Sequence, residues 1–222
     1  MDFSTIKLCI LPLLLAITLH EAAHGFVASW LGDDTAKKKR RVTLNPLRHI
    51  DPVGTLLIPG GLILAGSPML FGYAKPVPVN FRNLRHPRRD SLLVALAGPA
   101  TNLVLAFISA LLLHLDAFVT PEQAPFLFQS LYISITVNVV LAVFNMLPLM
   151  PLDGGRVLNA LLPEQLARIH AKTERTGIFI VFLLFLVPRL LHLDLHLAYY
   201  LIAVPADVVR DLVLHAAFIG NS

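Results

Sequence analysis

The segment His20-Glu21-Ala22-Ala23-His24 constrains this chain more than any other, because it lies within an apolar run from about Ile6 to Leu31. On a helix, residues four apart share a face. His20 and His24 can therefore present two imidazole nitrogens to one metal ion, with Glu21 one step round beside a bound water. The run is long enough to cross a bilayer core of about 30 Å. Ionisable side chains near the centre of a spanning helix cost about 2.5 to 3.5 kcal/mol each, so three within five residues imply a use. Together these facts point to metal-assisted hydrolysis inside a membrane.

Composition agrees with a membrane setting. The chain of 222 residues is 56% hydrophobic and 14% charged, with a mean hydropathy of +0.71, which is too apolar for a soluble domain of this length. Four further stretches are long enough, or nearly so, to span: Leu92 to Leu115, Phe126 to Leu147, Thr176 to Leu191 and Leu195 to Phe218. The first apolar run is too long for a removable signal peptide and carries the motif. The single cysteine, Cys9, excludes an internal disulfide and a cysteine-based zinc site. Basic runs such as Lys37 to Arg41 mark the cytoplasmic flank of a span, so the chain is expected to bind no nucleic acid.

Pro52 to Tyr73 is apolar enough to be a sixth span, yet Pro59-Gly60-Gly61 and Gly66-Ser67-Pro68 would break a helix there. If it crossed, the basic loops on either side of it (Lys37, Lys38, Lys39, Arg40, Arg41 and Arg48; Lys75, Arg82, Arg85, Arg88 and Arg89) would face opposite compartments, against the positive-inside rule. If it dips in and returns, both lie inside with Arg156, Arg168, Lys172 and Arg175. The loop from His114 to Pro125, which has no Lys or Arg, then lies outside. The expected fold is an all-α polytopic membrane protein of five to six transmembrane helices, with a re-entrant, partly extended segment between the first and second full spans. Tyr73 to Asn80, where Pro76 and Pro78 alternate with valines, is expected as an extended edge beside the cavity. The whole of 1–222 reads as one integral-membrane domain, with a catalytic core of about 5–163 and a C-terminal helical pair of about 174–218.

With Leu31 at the cytoplasmic end of the first helix, His24 lies about 10 Å and His20 about 16 Å along the axis from that end. The metal is thus expected in the cytoplasmic half of the bilayer, reached by water through a polar cavity. Two histidines leave a zinc site incomplete, since catalytic sites use three protein ligands and one open position. The soluble patterns fail to supply the third. Val27 and Trp30 stand where a metzincin has Gly and His, and no Glu occurs between Glu21 and Glu122. Asp153, in Pro148-Leu149-Met150-Pro151-Leu152-Asp153-Gly154-Gly155, is the remaining candidate, although an Asp before Gly-Gly also suits a turn or a helix N-cap.

At these residues the chain resembles the site-2 protease family of intramembrane zinc metalloproteases, peptidase family M50. The resemblance rests on His20-Glu21-Ala22-Ala23-His24, on Gly98-Pro99-Ala100-Thr101-Asn102, and on Asn145-Met146-Leu147-Pro148 leading to Leu152-Asp153-Gly154. Gly72 to Asn80 also looks like the Gly-aromatic-Ala-Lys-Pro-Val-Pro-Val-Asn stretch of small bacterial and archaeal members. The resemblance implies one zinc ion per chain on His20, His24 and Asp153, Glu21 as catalytic base, and Asn102 and Asn145 as polar contacts near substrate or transition state. Asparagines in spans also serve as interhelical hydrogen bonds. Met150 departs from a proline often found there. No PDZ-like or CBS-like segment is evident, so a minimal catalytic core is expected.

The implied activity is hydrolysis of peptide bonds within or near transmembrane segments, with membrane proteins as substrates, in the lipid bilayer of a prokaryotic inner membrane. The oligomeric state is not legible. A catalytically silent relative that binds membrane partners would have no need of the retained His20, Glu21, His24 and Asp153. A metal-ion transporter would need more paired carboxylates or histidines across its spans.

Overall fold

The structure, a computed structural model, describes residues 3–57, 75–174 and 199–218, with positions 61, 176, 177, 179, 180, 183, 196 and 197 between them. It is helical. Helix α1 runs Phe3–Trp30, α2 Thr35–Lys38, α3 Pro87–Leu112, α4 Pro125–Asn145, α5 Asp153–Leu161, α6 Glu164–Lys172 and α7 Val204–Ala216. Among the described residues, three helices are long and apolar enough to cross a membrane: Leu8–Trp30, Pro87–Ala117 and Pro125–Asn145. They agree with the first three expected spans to within a few residues.

The two expected C-terminal spans fare differently. Thr176 to Leu191 falls mostly outside the described residues, as does most of the expected re-entrant segment Pro52 to Tyr73. Within Leu195 to Phe218 the chain forms a π-helical turn at Tyr199–Ala203 and then α7. At 13 residues, α7 spans about 20 Å and is too short to cross alone. Pro205 lies in its first turn, and the π-helical turn runs directly into α7, with Ala203 at the junction in right-handed helical conformation.

The packing inverts the pattern of a soluble protein. Large apolar side chains face outward: Leu11, Leu15 and Phe26 on α1, Val104 and Ile108 on α3, Phe126 and Tyr132 on α4. Small and polar ones face inward. On α1 the buried set includes Ala16, Thr18, His20, Ala22, His24 and Ala28. On α3 it includes Val94, Gly98, Asn102, Ala106 and Ala110 at a strict spacing of four. Lipid tails are as apolar as leucine, so helices in a bilayer gain by close backbone approach and interhelical hydrogen bonds rather than by hiding leucines. α1, α3 and α4 pack on one another, α5 lies against α3, and α7 covers α3 and α4. Ala106, Val139 and Ala206 join the last three.

The segment 75–80 crosses the end of α1 without helix or strand pairing. Gly25 admits it, because a Cβ there would lie 3.0 Å from Val77 Cγ1. Asp33, fully buried just beyond α1, fastens the far end. Its Oδ2 accepts from Asn80 N at 2.7 Å, and its Oδ1 accepts from Asn83 Nδ2 at 2.9 Å and from the Thr35 amide and hydroxyl. Burial pushes the Asp33 carboxyl up, but the bonds from Thr35, Asn80 and Asn83 outweigh it and hold the carboxyl below its usual range. A carboxyl depressed on folding stabilises the fold above its unfolded value, near pH 4, and that contribution is lost as pH falls through the lower folded value. Asp33→Ala is accordingly expected to cost about 2 kcal/mol or more at pH 7. Thermal unfolding in detergent should show the difference from the parent chain shrinking as the pH falls below about 4.

Candidate metal centre

Two successive turns of α1 place His20 and His24 with their Nε2 atoms 3.1 Å apart. The first residue of α5 completes the group: Asp153 Oδ2 lies 3.3 Å from His20 Nε2 and 3.4 Å from His24 Nε2. The proton positions follow from the other ring nitrogens. His24 Nδ1 is 2.7 Å from the Val94 carbonyl, which can only accept, so Nδ1 carries the hydrogen. His20 Nδ1 is 2.6 Å from Asn102 Oδ1. The Asn102 amide is fixed in turn, since its Nδ2 donates to the Ala16 carbonyl at 3.3 Å and to Asn138 Oδ1 at 2.9 Å. Asn138 Nδ2 donates to the Ser134 carbonyl at 2.9 Å, which settles its orientation as well.

With both Nδ1 atoms protonated, both neutral imidazoles aim Nε2 lone pairs at one point. Asp153 Oδ2 is buried there and accepts no hydrogen bond. Two lone pairs and an orphaned carboxylate oxygen in close contact repel one another unless a cation lies between them. The donor chemistry is that of zinc. Three ligands about 2.0 to 2.1 Å from a tetrahedral zinc stand about 3.3 Å apart, and the observed sides of 3.1, 3.3 and 3.4 Å fit that triangle. Among the described residues this is the one group of three His, Cys, Asp or Glu side chains so arranged.

The surrounding backbone is shaped for close approach. A Cβ on Gly98 would fall 2.4 Å from His24 Nε2 and 2.6 Å from His20 Nε2, so only glycine lets α3 lie flat on both rings. Pro99 follows within the helix, and its missing N–H leaves the Ala95 carbonyl without its helical partner, next to the Val94 carbonyl that serves His24. Gly154 does for α5 what Gly98 does for α3: a Cβ would meet the Met146 carbonyl oxygen at 2.1 Å. The first turn of α5 therefore seats on the loop that leaves α4, which swings Asp153 back towards α1. Arg88, in the first turn of α3, clamps the other end of α5 by donating from Nε to the Ala160 carbonyl at 2.7 Å and from Nη2 to the Leu162 carbonyl.

Glu21 does not belong to the triangle. Its Oε2 accepts from the Val77 amide at 2.7 Å, so the segment 75–80 rests on it. Asn102 is fully buried and spends its amide on His20, Ala16 and Asn138. Asn145 donates to the Leu141 carbonyl of its own helix at 3.0 Å, and no hydrogen bond joins it to His20, Glu21, His24 or Asp153 among the described residues. His49 Nε2 meets the Thr43 carbonyl at 3.1 Å, a polar loop contact.

Asn138 was not singled out from the sequence. The available signal was an amide within an apolar span, which demands a partner but does not name one. It stands behind Asn102, and through Ser134 the network reaches Ser109 Oγ, 2.8 Å from Ser134 Oγ. Asn138→Leu is expected to free the Asn102 amide to turn, loosening His20 and weakening zinc binding about tenfold. Cleavage measured against added zinc should recover at high metal. A defect that zinc does not rescue would show that Asn138 acts on the fold instead.

Comparison with known proteins agrees with this geometry. The profile of Peptidase family M50 matches residues 117–188, a stretch that contains Asp153 but not the His pair. Relatives named "Putative zinc metalloprotease" match over most of the chain. YwhC of Bacillus subtilis (strain 168) is 44% identical over 183 residues, covering 81% of this chain and 80% of its own length. Rip2 of Mycolicibacterium smegmatis is 33% identical over 188 residues, covering 84% of this chain and 70% of its own. No solved structure matches the chain. With two helical histidines, a distant aspartate and these relatives in agreement, the chain belongs to peptidase family M50, the site-2 type of zinc metalloprotease.

Proposed function

We propose that this protein hydrolyses peptide bonds within or near the transmembrane segments of membrane proteins, with one zinc ion per chain held by His20, His24 and Asp153. The observation that carries the reading is the convergence of two Nε2 atoms, both from a helix long and apolar enough to span, and an orphaned carboxylate oxygen on one point. Zinc there would polarise the scissile carbonyl and lower the pKa of a coordinated water towards about 7. Glu21 takes the proton of the attacking water and delivers it to the leaving amine. His20 and His24 are kept in the metal-binding tautomer by Asn102 and Val94, and Gly98 keeps their rings from being pushed apart. Asn102 is a positioning residue, because its polar atoms are already committed. Of the two candidate asparagines, Asn145, half-buried where α4 ends, is the one with an amide oxygen left for substrate.

A substrate helix has satisfied its own backbone, so it must unwind before attack. The segment 75–80 supports that step. It lies against Glu21, and although Arg41 takes the Lys75 and Pro76 carbonyls, those of Val77, Pro78 and Val79 accept no hydrogen bond among the described residues and are left to receive an extended chain. The positive-inside pattern puts α2 and this segment on the cytoplasmic side, hence the site in the inner half of a prokaryotic cell membrane. The charge pattern favours Pro52 to Tyr73 as a re-entrant segment rather than a crossing one, and the reading takes 1–222 as a single domain.

The reading is tested with the full chain in nanodiscs and a fluorogenic transmembrane peptide. Cleavage should stop on treatment with a zinc chelator and return on addition of stoichiometric zinc. Cleavage that survives verified removal of the metal would refute it.

A further inference from the structure

A second feature lies beside the candidate metal centre and is not used by it. Lys39, Arg41, Lys75, Pro76 and Pro78 line a cleft of about 380 Å³. Three of these five residues are cations, and none of the three has an acidic partner among the described residues; the ion pairs there involve other basic groups. Arg41 is held in place by donating from Nη2 to the Lys75 carbonyl at 2.7 Å, while its buried Nε has no hydrogen-bond partner. Unpaired positive charges gathered in one concavity raise the local concentration of anions.

The position of the cleft decides which anion matters. Its wall is formed by Lys75, Pro76 and Pro78, and the residue between them, Val77, donates its amide to Glu21. Lys75 is two residues from Val77, at most about 7 Å along the chain. A peptide extended along 75–80 with its scissile bond at Glu21 would carry a side chain two to four residues away into the cleft.

We propose that the Lys39–Arg41–Lys75 cleft is a specificity subsite for a carboxylate side chain in the cytoplasm-facing flank of the substrate. The proposal rests on the proteolytic reading above. Its consequence is selective, because the cytoplasmic flanks of most membrane proteins are rich in Lys and Arg. The cleft repels those and admits the minority with Asp or Glu near the cut, which is discrimination by rejection as much as by attraction. The subsite would thereby spare most of the membrane proteins around it.

The test uses three transmembrane peptides identical except for Glu, Gln or Lys at the flank positions, with the full chain in nanodiscs of uncharged lipid. Binding is read by fluorescence anisotropy on the Glu21→Gln variant and cleavage on the parent chain. The Glu peptide should bind about tenfold more tightly than the Lys peptide, with the difference in KM rather than kcat, and high salt should erase it. The Lys39→Glu/Lys75→Glu double variant should reverse the order. The single variant Lys39→Gln should narrow the preference if the double variant fails to fold. Equal affinity for the three peptides would overturn the subsite and leave the proteolytic reading standing. Ordered binding with no cleavage of any peptide would refute proteolysis and keep the subsite. A double variant that loses binding to phosphatidylglycerol vesicles but keeps the peptide order would assign the cleft to lipid headgroups and overturn the proposal.

Discussion

Glu21→Gln is expected to lower kcat by about 10²- to 10⁴-fold while zinc stays bound. The expectation depends on what the substitution leaves alone. Glu21 is not among the three side chains that converge on the candidate metal position, so the change removes none of the proposed ligands. Its contact with the 75–80 segment is made by a carboxylate oxygen that accepts from the Val77 amide, and a glutamine oxygen accepts there equally well. Gln differs from Glu in having no basic site for a proton. A large fall in kcat with unchanged zinc content and unchanged thermal stability therefore isolates proton transfer. Metal analysis beside single-turnover cleavage separates the outcomes. Full activity with zinc bound would remove Glu21 from the chemistry, and loss of zinc would mean that it supports the metal instead.

How much of this was legible follows the range of the interactions. His20, Glu21 and His24 lie within five residues, and the helical period alone puts the two imidazoles on one face. α1, α3 and α4 follow from unbroken apolar runs, which the bilayer converts into helices because no other local structure satisfies its own backbone. Asp153 could be named as a candidate but not oriented. Its placement depends on a loop that turns back at Met146 to Met150 and on Gly154 lying against that loop. The support beneath His20 was less legible still. Asn138 and Ser134 are four apart on one helix, but Asn102 and Asn138 are 36 residues apart, and only the crossing of α3 on α4 makes those two neighbours. Asn102 therefore reads from sequence as a polar group in search of a role. The structure commits its amide to orienting His20. Gly98 is the sharpest case: its identity is plain in the sequence, but what its missing side chain leaves room for becomes visible only with α1 in place.

That observation carries the second large effect. Gly98→Ala adds a single methyl group, with no charge or reactive atom of its own, and is expected to weaken zinc binding by at least about 100-fold, the upper end of what changes around the ligands cost. The new carbon would fall 2.4 to 2.6 Å from ring atoms of both histidines, roughly 1 Å inside ordinary contact. Neither ring can swing aside cheaply, because His24 is tied to the Val94 carbonyl on the same helix as Gly98 and His20 to Asn102 one turn further on. Relief must come from α3 moving off α1, which opens the triangle of donors and breaks both supporting hydrogen bonds together. Overpacking of this kind costs about 1 to 3 kcal/mol, so the protein should still fold and remain in the membrane fraction. Asp153→Ala is the informative partner, because it deletes one donor while leaving the two rings and their supports in place. Zinc titration should find weak residual binding in Asp153→Ala that matches a two-histidine site, and less in Gly98→Ala despite its three intact donors. If Gly98→Ala instead binds zinc like the parent chain, α3 does not lie against these rings in the membrane. The tautomer argument built on Val94 and Asn102 then fails with it.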